Sequence, residues 1–257
     1  SVKGEVFSDP IHRSLYAVDA SMFEVQPLAV FIPKDKSDIL KALRIARKHQ
    51  TSVIARGAAT STTGAALGKG LIIDTTKYLN KVLEINLKEE WVRVEPGVVQ
   101  DQLNVDLAPH GYRLGPDTSS GSRATIGGMI GNNSSGARSL KFGTTFDALL
   151  EVDLSLMNGD SICLKELSDQ EYKRILLQNN SESTIYKEIE SILKTNKDEI
   201  EKRYPKLSKQ AAGYCLDKLL KQNSVNLAKL IVGSEGSLGI VTEAKLKIIK
   251  KPKYTGL

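Results

Sequence analysis

Three segments rich in glycine and small polar residues are the parts of this sequence best suited to bind a ligand. The first, Ala55–Gly64, follows a predicted strand. Small residues let the backbone approach a ligand closely, and successive main-chain N–H groups can point into one concavity and bind an anion. The hydroxyls of Thr60, Ser61 and Thr63 add donors. The pattern predicts an anion-binding loop, and a plain surface turn is the alternative.

This first segment matches neither of two common nucleotide-binding fingerprints. A P-loop needs Gly-x-x-x-x-Gly-Lys followed by Ser or Thr, whereas Gly64–Lys69 is followed by Gly70. A Rossmann turn needs Gly-x-Gly-x-x-Gly at the start of a helix, and Gly57–Ala59 does not supply it. Any nucleotide site here must therefore be of another kind.

The second segment, Pro116–Gly136, is dense in glycine, and Leu114–Gly143 around it shows little periodicity. Glycine costs backbone entropy on folding, so such density is favoured where the backbone touches something flat or extended. A dinucleotide phosphate with an aromatic ring meets that need, and structureless stretches of this length are usually functional. The third segment, Gly233–Thr242, is a small-residue bend leading into a strand.

The elements that position these segments follow from the spacing of apolar residues. A strand–helix–strand unit is predicted first, with a helix from Asp38 to His49. Two alternating runs then pair as a hairpin around Leu87–Glu90. The remaining predictions are strands at Gly70–Asp74, Leu149–Met157, Leu230–Val232 and Ile240–Ile249, a helix within Val98–His110, a tight turn at Asn158–Asp160, and a charged helical tract from Ser168 to Ser208 whose apolar stripe is Ile185, Ile189, Ile192, Leu193 and Ile200.

Composition indicates an ordinary soluble globular protein. The 257 residues are 40% hydrophobic and 26% charged, with a net charge of +6 that favours an anionic ligand without indicating nucleic acid. No stretch approaches the ~20 apolar residues of a membrane helix. The first residues form no signal peptide and lack Met, and Lys250–Lys253 is typical of a strand exit. These features predict a piece of a longer protein.

Cysteine and histidine positions argue against metal or histidine chemistry. Cys163 and Cys215 form no CxxC pair, so no zinc or iron–sulfur site is predicted, and two free thiols in a cytosolic protein is the default. His49 and His110 lie near predicted helix ends, where a cation is favoured, and His12 matches no motif. No catalytic residue is predicted.

In this order the segments resemble the FAD-binding domain of the vanillyl-alcohol oxidase / p-cresol methylhydroxylase flavoproteins, particularly the FAD-linked oxidase branch of D-lactate dehydrogenase and glycolate oxidase-like proteins. The resemblance extends from about Pro27 to Ile249. The matching pieces are Pro33–Asp35, Arg56-Gly57-x-x-Thr60-Ser61, Thr125–Gly128 with Asn132, Asn133 and Gly136, Gly233–Thr242, Val94–Val98 and Arg138–Gly143.

The resemblance implies an α+β, two-subdomain fold of the p-cresol methylhydroxylase type, in which a small α/β subdomain and a mixed or antiparallel sheet flanked by helices hold FAD between them. The implied divisions are an N-terminal lead-in at 1–27, a first FAD-binding subdomain at 28–115 and a second at 116–257. A C-terminal substrate (cap) domain would lie outside this chain.

The same resemblance implies the cofactor site. The loop 56–61 would hold the pyrophosphate through main-chain N–H groups, 116–119 and 127–136 would line the phosphates and flavin ring, and 240–241 would meet the adenine. The cofactor-binding residues so predicted are Arg56, Gly57, Ala58, Ala59, Thr60, Ser61, Gly64, Pro116, Asp117, Thr118, Ser119, Thr125, Gly127, Gly128, Asn132, Ser135, Gly136, Ile240 and Val241.

Two departures from the family pattern fall in the first loop. Ala59 stands where the family often has Gly, and Thr60 stands where some members attach FAD covalently through His, so non-covalent FAD is expected. Arg138 and Lys141 could face the flavin and attract an anionic substrate, or could contact phosphate or solvent.

The implied function is oxidation of a D-2-hydroxy acid of the D-lactate, glycolate or 2-hydroxyglutarate class. Hydride would pass to the flavin, and electrons to a separate acceptor such as a quinone, a cytochrome or an electron-transfer protein, in a cytoplasmic protein with at most peripheral membrane association. Alternatives are a flavoenzyme similar to UDP-N-acetylenolpyruvoylglucosamine reductase and a non-catalytic flavin-holding module. A nucleic-acid-binding domain has little support, since no stripe of lysine and aromatic residues exists.

Overall fold

The computed structural model describes residues 2–207, 210, 213–220 and 225–252. Two main sheets and a two-stranded sheet carry the strands. In chain order the strands are β1 Glu5–Phe7, β2 Ala29–Ile32, β3 Val53–Arg56, β4 Leu71–Asp74, β5 Val82–Asn86, β6 Trp91–Val94, β7 Tyr112–Leu114, β8 Leu149–Ser155, β9 Ser161–Leu164, β10 Glu166–Leu167, β11 Val225–Asn226 and β12 Ile240–Lys250.

The helices are short except for two. In chain order they are α1 Pro10–Leu15, α2 Lys36–Lys48, α3 Gln100–Leu107 (continued by a 3-10 turn, Ala108–His110), α4 Ile126–Asn132, α5 Ser139–Phe142, α6 Thr145–Ala148, α7 Asp169–Leu176, α8 Ser181–Thr195, α9 Lys197–Arg203, α10 Leu216–Leu220 and α11 Ala228–Ile231. None of the helices in the described part of the chain is both long and apolar enough to cross a membrane.

The first sheet has the order β1-β2-β4-β3, with β2, β4 and β3 parallel and β1 antiparallel at the edge. The predicted strand–helix–strand unit is confirmed as β2, α2 and β3. Helix α2 begins after Asp35, whose side chain accepts a hydrogen bond from the Asp38 amide, as an N-cap should. Ile39 and Leu43 on its inner face pack with Phe31 in one core cluster.

The second sheet is antiparallel, with the order β5-β6-β12-β8-β9, and β7 pairs with the end of β12. The predicted hairpin is confirmed as β5 and β6. Strand β12 lies at the centre and alternates as predicted, burying Ala244, Leu246 and Ile248. This sheet forms the larger core together with α3, α4 and the helices after β9. The mixture of sheets and helices is α+β, as predicted.

The helical tract predicted from Ser168 to Ser208 is three helices, α7, α8 and α9, and Ser208 lies outside the described residues. The prediction of one apolar stripe was wrong, because Ile192 on α8 is 43% exposed and Ile200 is buried on α9. Asn180 caps the start of α8, and Asn196 stands between α8 and α9. Caps of this type interrupt a periodic pattern without changing its composition.

Two other predicted elements differ in the structure. Leu230–Val232, predicted as a strand, contains the end of helix α11, which packs against β8. A short apolar run looks alike in a buried strand and a buried helix, which explains the error. The span 114–143 is not structureless, because it contains α4 and α5.

The chain passes from the first sheet to the second between Asp74 and Val82, and β5, β6 and β7 all belong to the second sheet. The subdomains predicted at 28–115 and 116–257 remain a prediction. The lead-in predicted at 1–27 also contributes β1 to the first sheet. Alternation of apolar and polar residues predicts that a hairpin forms, but it does not predict which sheet the hairpin joins.

Lys229 on α11 gives a testable pH dependence. Burial lowers the pKa of its ammonium group to about 8, from an ordinary value of 10.5, and its Nζ donates a hydrogen bond to the main-chain oxygen of Phe146. Between pH 8 and 10.5 the unfolded chain binds a proton that the folded protein has lost, so stability rises with pH in this window. We expect the free energy of unfolding, relative to Lys229→Met, to rise by about 3 kcal/mol there.

The measurement is urea unfolding of both proteins at several pH values, with Lys187→Met on the exposed face of α8 as the control. A difference between wild type and Lys229→Met that stays constant from pH 8 to 10.5 would contradict the prediction.

Candidate functional site

An open cleft lies where the loop after β3 meets α4 and the bend before β12. The three small-residue segments all contribute to its walls, through residues 55–61, 124–134 and 234–241. Segments that are remote in sequence are thus brought to one concave surface.

The loop after β3 presents main-chain donors to this cleft. Among the described residues, none accepts a hydrogen bond from the amides of residues 57–62. The Ser61 hydroxyl accepts bonds from the amides of Thr63 and Ala65, which curls the following turn. Main-chain N–H groups require hydrogen-bond acceptors, and a concave array of N–H groups binds anions. The loop is therefore suited to hold a phosphate.

The side chain of Arg56 is directed away from such a ligand. Its Nη1 donates to the main-chain oxygens of Tyr16 and Ala66, at 3.0 and 3.4 Å, and its Nη2 donates to that of Val18 at 2.9 Å. Arg56 lines the cleft, but its guanidinium is occupied by carbonyls. If Arg56 contacts the cofactor as predicted, the contact is made by its main chain.

The first turn of α4 forms another wall and contributes space more than donors. The Gly127 amide donates to the main-chain oxygen of Pro96 at 2.8 Å, and the Gly128 amide donates to Thr125 Oγ1 at 3.3 Å. A Cβ on Gly128 would meet only that hydroxyl, at 3.2 Å, and one on Gly131 would come no closer than 3.8 Å to another atom. A side chain at either position would therefore project into the cleft.

Gly57 explains how the loop and α4 fit together. A Cβ at this position would lie 2.1 Å from Thr125 Oγ1, the hydroxyl that caps α4. No real Cβ contact is so short, so a residue without a side chain is needed where the loop crosses the helix start. The predicted residues Gly57 and Thr125 thus touch each other.

The bend before β12 is fastened to the other end of α4. The Gly233 amide donates to the main-chain oxygen of Ile130 at 3.0 Å, and the Glu235 amide donates to that of Gly131 at 2.8 Å. Glu235 has a left-handed backbone, with φ of 49°. After the bend, Ile240 and Val241 line the cleft, and their contact with an adenine remains a prediction.

Seven predicted residues do not line this cleft: Gly64, Pro116, Asp117, Thr118, Ser119, Ser135 and Gly136. Asp117 and Thr118 line a second cleft of about 950 Å³, together with Arg113 and Arg138. The Arg138 Nε donates to Asp117 Oδ2, so this arginine is paired within the protein. Lys141 lies with its Nζ 5.4 Å from the centroid of the Phe142 ring.

Sequence reasoning missed Thr75 and Pro96, which line the cleft. Thr75 follows β4, the parallel neighbour of β3, and ligands bind beyond the carboxyl ends of such strands. The end of the predicted strand at Asp74 was the signal that could have found it. Pro96 belongs to a matched motif, but nothing in that motif showed which residue faces a ligand.

Few charged residues line the cleft. Arg56 and Glu235 are the charged residues among those that line it. The excess positive charge of the chain is therefore not concentrated here, and an anion would be held by main-chain dipoles. Such a cleft, with amides at one end that have no acceptor among the described residues and with glycines on the α4 wall, is suited to an elongated dinucleotide.

Comparison with known proteins gives the class. The family model described as FAD binding domain matches residues 27–164, which is more than half of the chain. The chain belongs to this family of FAD binding domains, and its cofactor is FAD. The family and the cofactor predicted from the ordered motifs are confirmed.

The chain is also similar to individual enzymes. The chain is 35% identical to a D-2-hydroxyglutarate dehydrogenase of Pseudomonas putida over 99% of its length and 26% of the relative, and 34% identical to that of Escherichia coli over 99% and 25%. It is 30% identical to a glycolate oxidase subunit GlcD of Bacillus subtilis, over 94% of this chain and 41% of the relative. The chain thus spans about a quarter of the length of the two dehydrogenases.

A solved structure shows the same fold. An alkyldihydroxyacetonephosphate synthase superposes with a TM-score of 0.66 and 19% identity, over 97% of this chain and 39% of the synthase chain. At this identity the match concerns the fold alone, which supports the predicted α+β class.

Proposed function

We propose that this chain is the FAD-holding domain of an oxidoreductase that oxidises a D-2-hydroxy acid. The observation that carries the proposal is the loop 57–61, which lines the cleft and whose amides have no acceptor among the described residues, opposite the glycines Gly128 and Gly131 of α4. The relatives named D-2-hydroxyglutarate dehydrogenase favour 2-hydroxyglutarate within the wider group of D-lactate, glycolate and 2-hydroxyglutarate.

In this proposal each wall of the cleft has its own task. The amides of 57–62 donate hydrogen bonds to the pyrophosphate, and α4 supplies a surface flat enough for close approach at Gly128 and Gly131. Residues 240 and 241 contact the adenine through their main chain. Bound FAD supplies the hydride-accepting ring, and the protein supplies position and electrostatics.

The groups that recognise the hydroxy acid are proposed to belong to a substrate (cap) domain outside this chain. The electron acceptor is proposed to be a separate quinone, cytochrome or electron-transfer protein. The protein that carries this chain is proposed to be cytoplasmic, with at most peripheral membrane association. The Arg113 side chain beside the second cleft carries charge of the sign that attracts such acids, whereas Arg138 is paired with Asp117.

FAD binding by this chain should be non-covalent, because Thr60 occupies the position of the linking histidine. We expect the purified chain to take up FAD stoichiometrically, with flavin absorbance bands that acid precipitation releases entirely into the supernatant. Flavin that stays with the precipitate would show a covalent link. A folded sample that stays colourless at saturating FAD would overturn the cofactor role.

The reaction itself is tested with the longer protein that carries this chain. Under anaerobic conditions, D-2-hydroxyglutarate should bleach the bound flavin, with D-lactate and glycolate as weaker reductants and with L-2-hydroxyglutarate and L-lactate as controls. Bleaching by NADPH alone would favour the reductase alternative. Inertness towards every hydroxy acid and NADPH would favour a module that only holds flavin.

A further inference from the structure

The segment Tyr16–Val25, here called the strap, lies against the loop that carries the free amides. The Ala20 amide donates to the main-chain oxygen of Ala59 at 3.1 Å, and the strap folds back on itself through a bond of 2.8 Å from the Val25 amide to Ala17. This segment precedes residues 27–164, which match the FAD binding domain. The strap therefore lies outside the matched range.

Arg56 fastens the strap to both ends of the loop. Its guanidinium binds the main-chain oxygens of Tyr16 and Val18 in the strap and of Ala66 at the far end of the loop. It also lies 4.9 Å from the centroid of the Tyr16 ring. The Tyr16 hydroxyl donates to Asp74 Oδ2 at the end of β4. One arginine therefore joins the start of the loop, its end and the strap.

Phe23 packs against Gly64, near the far end of the loop. Its Cδ2 lies 3.1 Å from the position that a Cβ on Gly64 would take, and Gly64 has a left-handed backbone with φ of 80°. Half of the Phe23 side chain remains exposed, whereas Met22 beside it is 91% exposed. Phe23 thus contacts the loop, whereas Met22 is directed to solvent.

The loop needs support from outside because it has little of its own. The amides of 57–62 make no bond within the described residues, and Ala59 adopts a left-handed backbone with φ of 53°. That conformation costs about 1–2 kcal/mol for a residue with a Cβ. The strap offsets this cost where it holds the Ala59 carbonyl. Fixing a loop before a ligand arrives reduces the entropy that binding must overcome.

We propose that the strap is a positioning element, which holds the 57–66 loop in the conformation that presents its amides to FAD. The proposal rests on the cofactor role of this loop given above. Tyr16, Ala20, Phe23 and the Arg56 side chain act on the loop, and the loop acts on the cofactor. FAD affinity therefore depends on strap residues that do not line the cleft, and on the Arg56 side chain, whose guanidinium is bonded to main-chain oxygens.

The test compares Phe23→Ala with Met22→Ala. In FAD-free protein, hydrogen exchange of the hydrogen-bonded loop amides, those of Thr63 and Ala65, should be about tenfold faster in Phe23→Ala, while exchange in β2 and β4 is unchanged. The Kd for FAD, from a flavin fluorescence titration, should be about tenfold weaker. Met22→Ala should match wild type in both measurements, and Phe23→Leu, which keeps apolar contact with the loop, should recover most of the loss.

A second variant separates bracing from charge. Arg56→Lys keeps the positive charge, but an ammonium group cannot reproduce the planar fork that reaches three carbonyls. Faster loop exchange and weaker FAD binding in this variant would support the strap, and unchanged values in both would overturn it. Uniformly faster exchange across β2, β4 and the loop in Phe23→Ala would also overturn it, since the role would then be general stability.

The two proposals can fail separately. The exchange measurement uses FAD-free protein and reports on the strap whatever the loop binds. A wild-type chain with a protected loop that did not take up FAD would overturn the cofactor role alone.

Discussion

Replacing Gly128 by valine is expected to remove FAD binding while the protein stays folded. A Cβ at this position meets only the Thr125 hydroxyl, at 3.2 Å, so the fold can accept the side chain with a small adjustment. The two methyl groups would then occupy the cleft over the first turn of α4. We expect the Kd for FAD to rise more than about 100-fold, so that the variant purifies without flavin.

The measurement is a flavin absorbance and fluorescence titration, with circular dichroism and urea unfolding to establish that the variant is folded. Gly128→Ala should bind with intermediate affinity, because one methyl group occupies less of the cleft. Ser191→Val, at an exposed position of α8, introduces the same valine side chain away from the cleft and should bind FAD normally. Normal retention by Gly128→Val would exclude the first turn of α4 from the site.

Replacing Gly136 by alanine is expected to act on the fold. A Cβ there would lie 1.8 Å from the main-chain oxygen of Asp117 and 2.4 Å from its Oδ1. A clash with a backbone oxygen cannot be relieved by a rotamer change, so the two chain segments at 117 and 136 must move apart. We expect the free energy of unfolding to fall by about 2–3 kcal/mol, measured by urea unfolding without FAD.

Gly131→Ala is the matched control for this substitution. Gly131 lies within α4, and the nearest atom to a Cβ there is 3.8 Å away. Alanine is a better helix former than glycine, so this variant should unfold at an equal or higher urea concentration. A Gly136→Ala protein as stable as Gly131→Ala would show that the contact with Asp117 is easily relaxed.

The ordered motifs predicted the family and the three segments that meet at the cleft, because spacing and order survive without knowledge of contacts. The glycines themselves were harder to interpret. Gly57, Gly127 and Gly136 each lie too close to another part of the chain, at Thr125, Pro96 and Asp117, to carry a Cβ. A glycine thus indicates close approach, but not whether the neighbour is a ligand or the protein.

Helix α4 and the strap were not predicted from the sequence, because both depend on tertiary contacts. Helix α4 is rich in glycine, so its propensity is low, and it forms because Thr125 caps it and its apolar residues Ile126, Met129 and Ile130 are buried. The strap carries no motif, and its importance depends on contacts with residues about 40 positions away. Tertiary contacts of this kind leave no local pattern.

The place of β12 at the centre of the second sheet has a consequence for biosynthesis. Every other strand described here precedes it, and it pairs with β6, β7 and β8, while its first residue, Ile240, packs with α2 and the first sheet. The hairpins on either side emerge from the ribosome without the partner that separates them in the native fold. They remain open edges, which are prone to aggregation, until residues 240–250 emerge. A nascent chain should therefore depend on chaperones until residues 240–250 have emerged.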